Sequence, residues 1–350
     1  MSTDREVNQF DIARIAGAAA VVMIHVSAAG VLAFGLIGIK EWWLSNILDS
    51  VCRWAVPVFI MVSGALLLDP STPRPFFSFM RRRVSRIIPP LLFWSALYFV
   101  WLSWWRLTPI NLHYVISAFL SGNPYDHLYF LPLILGLYLI TPMLRIYVMH
   151  ASRQNAYYCL LVIFLLAAAN DYISTFWGFG GVQNIATQFL PYIGYFLAGY
   201  YLKNLALTLR GKRLPLPIFV LSSMVTAIGC YALSAAHGIE KGVYFYDYTS
   251  VTVIIASLAL FVWFDNIRMG ATRWWLTPRS RTVIKTLSTA SFGIYLIHPI
   301  LLDILSSAGI SPVNMYLPLG IFFQFSLALI SASAIVICML WVPWLRAVVS

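Results

Sequence analysis

Between Asp11 and Val26 the chain reads DIARIAGAAAVVMIHV, an apolar helix that carries two ionisable side chains, Arg14 and His25. At about 100° and 1.5 Å per residue they stand roughly 20° apart on the helix wheel and about 16 Å apart along the axis, on one face. Between them, Gly17, Ala18, Ala19 and Ala20, then Val21 and Val22, offer no other polar group and let a neighbouring helix or a long ligand approach closely. Charged or titratable side chains are costly in a membrane helix and point to function. A plainer reading has Arg14 snorkelling to the interface and His25 as a hydrogen-bonded core histidine. On these residues alone both stand.

Working outward, 61% of the 350 residues are hydrophobic and only 10% charged, more apolar surface than a soluble domain can hide. The fold class is all-α, a polytopic membrane helix bundle. A net charge of +11 would suit nucleic acid if it formed one patch. The basic residues instead fall between apolar stretches, which reads as topology, with no nucleic-acid partner. Cys52, Cys159, Cys230 and Cys338 each sit in an apolar run without metal-type or redox spacing, so no metal is expected. The leader mixes Asp4, Arg5, Glu6, Asp11 and Arg14, and the apolar run beyond it is too long for a signal-peptide core.

Apolar stretches long enough to span lie near 12 to 35, 47 to 68, 87 to 105, 128 to 149, 156 to 174, 188 to 202, 215 to 236, 248 to 267, 287 to 307 and 316 to 342, about ten transmembrane helices. The sixth is short, although Tyr192, Tyr195, Tyr200 and Tyr201 suit an interface. With both termini cytoplasmic, outside segments hold only Lys40, Arg106 and Lys241, and Arg53 falls within the second stretch; every other Lys and Arg of the 23 lies inside. That asymmetry supports an even number of spans. Short loops and the lack of an internal repeat indicate one membrane domain over residues 1–350, with no appended soluble domain. The longest outside connection contains Leu112 to Leu120, expected to form a short interfacial or re-entrant helix. No G-x-x-x-x-G-K-[ST], G-x-S-x-G or H-E-x-x-H occurs, so nucleotide hydrolysis, serine hydrolysis and zinc proteolysis lack support.

Three further stretches carry chemistry. Phe79 to Pro90 holds Arg81, Arg82, Arg83 and Arg86 at the start of the third helix. Arg82 and Arg86 (i, i+4) or Arg83 and Arg86 (i, i+3) can project to one side and grip phosphates with planar donor forks, although such a run is also a common stop signal for anionic lipid heads. In Asp126-His127-Leu128-Tyr129-Phe130-Leu131-Pro132, His127 and Phe130 put an imidazole and a ring at one mouth of the bundle, or simply an aromatic belt. In Ser291 to Pro299, Tyr295 and His298 share a helix face where Pro299 loosens the backbone, which also fits a kinked helix with a satisfied histidine.

Together these stretches resemble the membrane acyltransferase-3 family, integral-membrane O-acyltransferases of surface polysaccharides. The matching elements are D-x-x-R-x10-H at Asp11, Arg14 and His25, R-x-x-R at Arg83 and Arg86 before Pro89, an H-L-W-F-L-like run at His127 to Leu131, and F-G-I-Y-L-x-H at Phe292 to His298. They cover nearly the whole chain in order and are fairly specific only in combination. Tyr129 stands where the family often has Trp, which bears on the acceptor more than on the chemistry. The chain looks like the minimal form, similar to the bacterial members that O-acetylate enterobacterial common antigen.

The resemblance implies a cytoplasmic acyl-CoA donor, acetyl-CoA in the first instance, used as co-substrate with no permanently bound cofactor. It also implies a glycan or lipid-linked saccharide acceptor, membrane lipids as surroundings and a bacterial inner-membrane location. The residues fit independently: Arg83 and Arg86, with Arg82 and Arg14 beside them, suit the phosphates of CoA, and an imidazole at His25 suits a general base for a sugar hydroxyl. The pantetheine arm would then run along the groove from Arg14 to His25. Asp11, His127, Tyr129, Tyr295 and His298 are expected to support the site or bind acceptor. A transporter or flippase for a sugar-linked or small anionic substrate uses similar polar equipment, but its inverted repeats are not evident.

Overall fold

Pro57 decides how the second apolar stretch folds. A proline cannot donate to the carbonyl four residues back, here Arg53, so the helix is interrupted at Arg53 and Trp54. The computed structural model describes residues 7–71, 75–180, 184–205, 214–266 and 277–350. Arg5 and the loop residues Arg74, Arg210, Lys212, Arg213, Arg268 and Arg273, on which the charge asymmetry partly rests, lie outside the described residues.

The elements are α1 (Gln9–Leu32), α2 (Ile39–Cys52), α3 (Ala55–Leu67), α4 (Phe76–Trp105), α5 (Leu112–Leu120), α6 (Phe130–His150), α7 (Arg153–Trp177), α8 (Ile193–Leu205), α9 (Pro215–His237), α10 (Ile239–Gly242), α11 (Val251–Asn266), α12 (Pro278–Ser307), α13 (Leu317–Trp341) and α14 (Pro343–Val349). Among the described residues there is no strand, and nine helical spans are long and apolar enough to cross a membrane. They match nine of the ten expected stretches in order.

The exception is the sixth stretch. Its described helix, α8, has 13 residues, about 20 Å at 1.5 Å per residue, against a ~30 Å hydrocarbon core. It begins only after a 3₁₀ turn at Leu190–Tyr192 that contains Pro191. Tyr195, Phe196, Leu197 and Ala198 are all buried, so α8 is covered by protein on every side. Close approach to α3 is what covers it. A Cβ on Gly64 would overlap the Phe196 carbonyl, and one on Gly199 would overlap the Met61 carbonyl, so both positions need glycine.

α1 is the central helix and packs against α2, α3, α11, α12 and α13. Its start is set by a capping box: the Asn8 side chain accepts from Phe10 N and Asp11 N, and the Asp11 carboxylate accepts from Asn8 N at 2.9 Å. Asp11 also ties α1 to α12, accepting from Lys285 Nζ at 2.6 Å and Ser288 Oγ at 2.8 Å. That contact sets the register of α12, which carries Tyr295 and His298. α5 forms as expected, capped by Asn111, with no buried residue.

Candidate functional site

Pro299 sits inside α12 and cannot bond the carbonyl of Tyr295. The His298 ring takes that acceptor instead, with Nδ1 at 2.7 Å from the Tyr295 oxygen. A carbonyl only accepts, so Nδ1 carries the proton and Nε2 is left as a lone pair. His127 is fixed by the same logic. Its Nε2 donates to the Leu296 carbonyl at 3.1 Å, an oxygen that also accepts from the Tyr98 hydroxyl at 2.8 Å. Neither His127 Nδ1 nor His298 Nε2 has a hydrogen-bond partner among the described residues, although both atoms are buried. Buried acceptors of this kind call for an explanation.

His25 completes the cluster. Its ring centroid lies 4.8 Å from that of His298, and His298 lies 5.3 Å from His127. His25 makes no hydrogen bond among the described residues and is half-buried, whereas His127 and His298 are closed off. The support beneath them is aromatic: Tyr98 packs on His127 at 5.0 Å and stacks on Tyr125 at 4.1 Å, and the Tyr295 hydroxyl donates to the His127 carbonyl. Burial pushes the Tyr125 phenol up to about 12, so it stays neutral in this stack.

The histidine cluster faces a cavity of about 330 Å³. Besides His25 and His127 it is lined by Arg53, Asp126, Asp247 and the rings of Tyr129, Tyr192, Tyr248 and Tyr295. A second cavity, of about 250 Å³, is lined by Arg14, Arg83 and Arg86 with Ser63, Tyr138 and Tyr295. Tyr295 belongs to both. Arg83 lies over the rings of Phe79 and Tyr138, at 5.6 and 5.5 Å, and Arg14 is about a third exposed.

The two ends of α1 therefore serve different cavities, and the groove expected between Arg14 and His25 is not open. Phe59 occupies it: a Cβ on Gly17 would come within 2.9 Å of the Phe59 ring. Phe59 lies 6.3 Å from Phe130, and Phe130 lies 5.7 Å from Tyr295, so rings separate the arginines from the histidines. The small residues predicted to admit a ligand admit a phenyl ring instead.

Of the expected site residues, the structure brings His25, His127, Tyr129 and Tyr295 to the histidine cavity, and Arg14, Arg83 and Arg86 to the arginine cavity. His298 stands behind His25, and Asp11 joins α1 to α12. Arg82 is not brought in. It is exposed and its Nε donates to the Ser78 carbonyl of its own helix at 3.1 Å, so the i, i+3 pair of Arg83 and Arg86, not the i, i+4 pair, faces the cavity. Asp303, five residues after His298 on α12, makes its contacts elsewhere. It accepts from Trp101 Nε1 and from Arg106, each at 2.8 Å, and this bond raises the Arg106 pKa.

Arg53, Asp49, Tyr192, Asp247 and Tyr248 escaped the motif reading. Arg53 and Asp49 gave a signal, as opposite charges four residues apart in one apolar stretch just before a proline. Tyr192, Asp247 and Tyr248 come from distant elements that only the fold brings together.

A family model described as an acyltransferase domain, that of the acyltransferase-3 family, matches residues 7–345. No curated protein and no solved structure matches the chain.

Proposed function

Because the chain belongs to the acyltransferase-3 family and is a membrane acyltransferase, we propose that it transfers an acyl group, acetyl in the first instance, from acyl-CoA to a hydroxyl of a glycan or lipid-linked saccharide. The observation that carries this reading is the pair of cavities sharing Tyr295, one lined by three arginines and the other by His25 and His127 with His298 behind His25. Arg14, Arg83 and Arg86 hold the CoA phosphates by charge-assisted hydrogen bonds, and the thioester reaches Tyr295. The acceptor sugar enters the histidine cavity, whose tyrosine rings and carboxylates suit the apolar faces and hydroxyls of a pyranose.

His25 is the general base. His298 Nε2, an acceptor without a partner, takes the N–H of His25 and so leaves the other His25 nitrogen as a base. The hydroxyl oxygen attacks the thioester carbonyl as His25 removes its proton. When the carbon–sulfur bond breaks, the departing thiolate takes that proton back from the imidazolium, and His25 is neutral again. We read α8 as the tenth crossing, which puts both termini, Arg83 and Arg86 on the cytoplasmic side of a bacterial inner membrane.

Radiolabelled acetyl-CoA supplied to membranes that contain the protein and its native acceptor tests the reading. Label should enter membrane glycan. His25→Ala should lower the rate by about 10²- to 10⁴-fold, and His25→Gln nearly as much, because glutamine keeps a hydrogen bond but has no proton affinity. A His25→Gln rate close to the parent's ends the base assignment. A carrier would also use two cavities divided by rings, and it predicts transport of substrate with no label in glycan.

A further inference from the structure

The break that Pro57 imposes at Arg53 and Trp54 leaves Arg53 between α2 and α3, at the wall of the histidine cavity. Its guanidinium is held from two sides. Nε and Nη2 engage one oxygen of Asp49, a carboxylate with no exposed surface. The other Asp49 oxygen lies 3.2 Å from Ser27 Oγ, which also reaches the Met23 carbonyl at 2.8 Å, and Ser27 is two residues past His25 on α1. The guanidinium carbon lies 4.3 Å over the ring of Tyr246, whose hydroxyl is itself fixed by Asn46 Oδ1 at 2.6 Å. Among the described residues lining this cavity, Arg53 is the one Lys or Arg.

A buried ion pair is weak evidence for stability, because desolvation offsets its attraction, and in a membrane bundle apolar side chains would pack as well. The pair therefore needs a reason to be beside the base. Attack of a hydroxyl on a thioester moves the carbonyl π electrons onto oxygen, and a base does nothing for that charge. A cation whose position is already set by Asp49 and Tyr246 meets it without reorganisation. Asp49 balances the resting charge and leaves the outer N–H groups of Arg53, which have no partner among the described residues, for the reacting oxygen.

We propose that Arg53 is a catalytic residue that donates hydrogen bonds to the oxyanion formed when the acceptor hydroxyl attacks the acyl thioester, with Asp49 positioning it. As the carbonyl re-forms, the electron pair returns from oxygen, the carbon–sulfur bond breaks and the thiolate takes the proton from His25. This rests on the acyl-transfer reading above.

The test uses labelled acetyl-CoA at saturation in membranes carrying the native acceptor, with the protein level and the half-saturating acetyl-CoA concentration measured for each variant. The Arg53→Gln, Asp49→Asn double variant removes the charges together and keeps the shapes. Its rate should fall roughly 10²- to 10³-fold with half-saturation unchanged. Arg53→Lys keeps the ion pair, and with it the fold, but loses the planar fork; its rate should fall about ten-fold or more. A parental rate in Arg53→Lys, or in the double variant, overturns the proposal. So does a loss expressed only as a higher acetyl-CoA requirement. If the parent transfers no label, or if His25→Gln is fully active, the underlying reading fails instead, and the two failures are distinguishable.

Discussion

His25 is the only one of the three clustered histidines without a hydrogen bond among the described residues, and of the two that line the cavity, His25 and His127, it is the less buried. Its neighbours differ in that each has given one ring proton to a backbone carbonyl of α12. In the proposed mechanism His298 positions His25, so His298→Ala should lower turnover by about 10- to 100-fold, as loss of other partners that orient a functional imidazole does. Steady-state kinetics should show the loss in kcat, with acetyl-CoA affinity unchanged, whereas a packing role predicts lower thermal stability and an unchanged kcat per folded molecule. At this scale much was legible. Arg14, His25, His127, Tyr295 and His298 each stood out as polar groups in apolar helices. What sequence could not supply was the partner of each ring nitrogen, because Leu296 and Tyr295 accept through their backbone carbonyls, which no side-chain pattern reveals.

At the scale of elements, proline does more than the motif spacing indicated. Pro57 divides α2 from α3 and leaves Arg53 at the division, while Pro299 frees the Tyr295 carbonyl for His298. Pro299→Ala restores an N–H that competes for that carbonyl and releases His298 from its tautomer. Thermal unfolding should be unchanged or raised, because a helix-interior proline costs about 3 kcal/mol, while turnover falls several-fold; turnover at the parental level would separate the kink from the chemistry. On α4 the face matters as much as the charge. Arg83→Ala and Arg86→Ala should each raise the acetyl-CoA requirement about ten-fold or more, since charge-assisted hydrogen bonds contribute about 1.5–3 kcal/mol. Arg82→Ala, bonded to its own helix and exposed, should bind acetyl-CoA like the parent in an isothermal titration. The basic run was readable in sequence, but which of its arginines faces the cavity followed only from the packing of α4 on α6, where Tyr138 receives Arg83.

For the whole molecule, hydropathy located every long span, and its one shortfall is α8, whose apolar length is spent on a buried helix against α3 and not on a lipid-facing one. Hydropathy counts apolar residues without saying what covers them. The same limit hid the layer of Phe59, Phe130 and Tyr295, because an aromatic ring that fills a groove and one that faces lipid read alike in sequence.

That layer divides the two cavities, and the proposed mechanism turns the division into a prediction about sidedness. Arg14, Arg83 and Arg86 are on one side of the rings and His25 on the other, so in the proposed reaction the CoA moiety and the acceptor can enter separately and meet only at the thioester, beside Tyr295. CoA carries several phosphate charges and does not cross a bilayer, which makes the side of supply an experimental variable. In sealed inside-out vesicles, with the surface bearing Arg83 and Arg86 outward, external acetyl-CoA should support transfer and free CoA should return to the same external medium. In right-side-out vesicles external acetyl-CoA should give no transfer until the membrane is opened with detergent. Equal rates in both orientations without detergent would mean that the arginine cavity is not the donor entrance, and the separation of donor from acceptor by the Phe59, Phe130 and Tyr295 rings would have no part in the reaction.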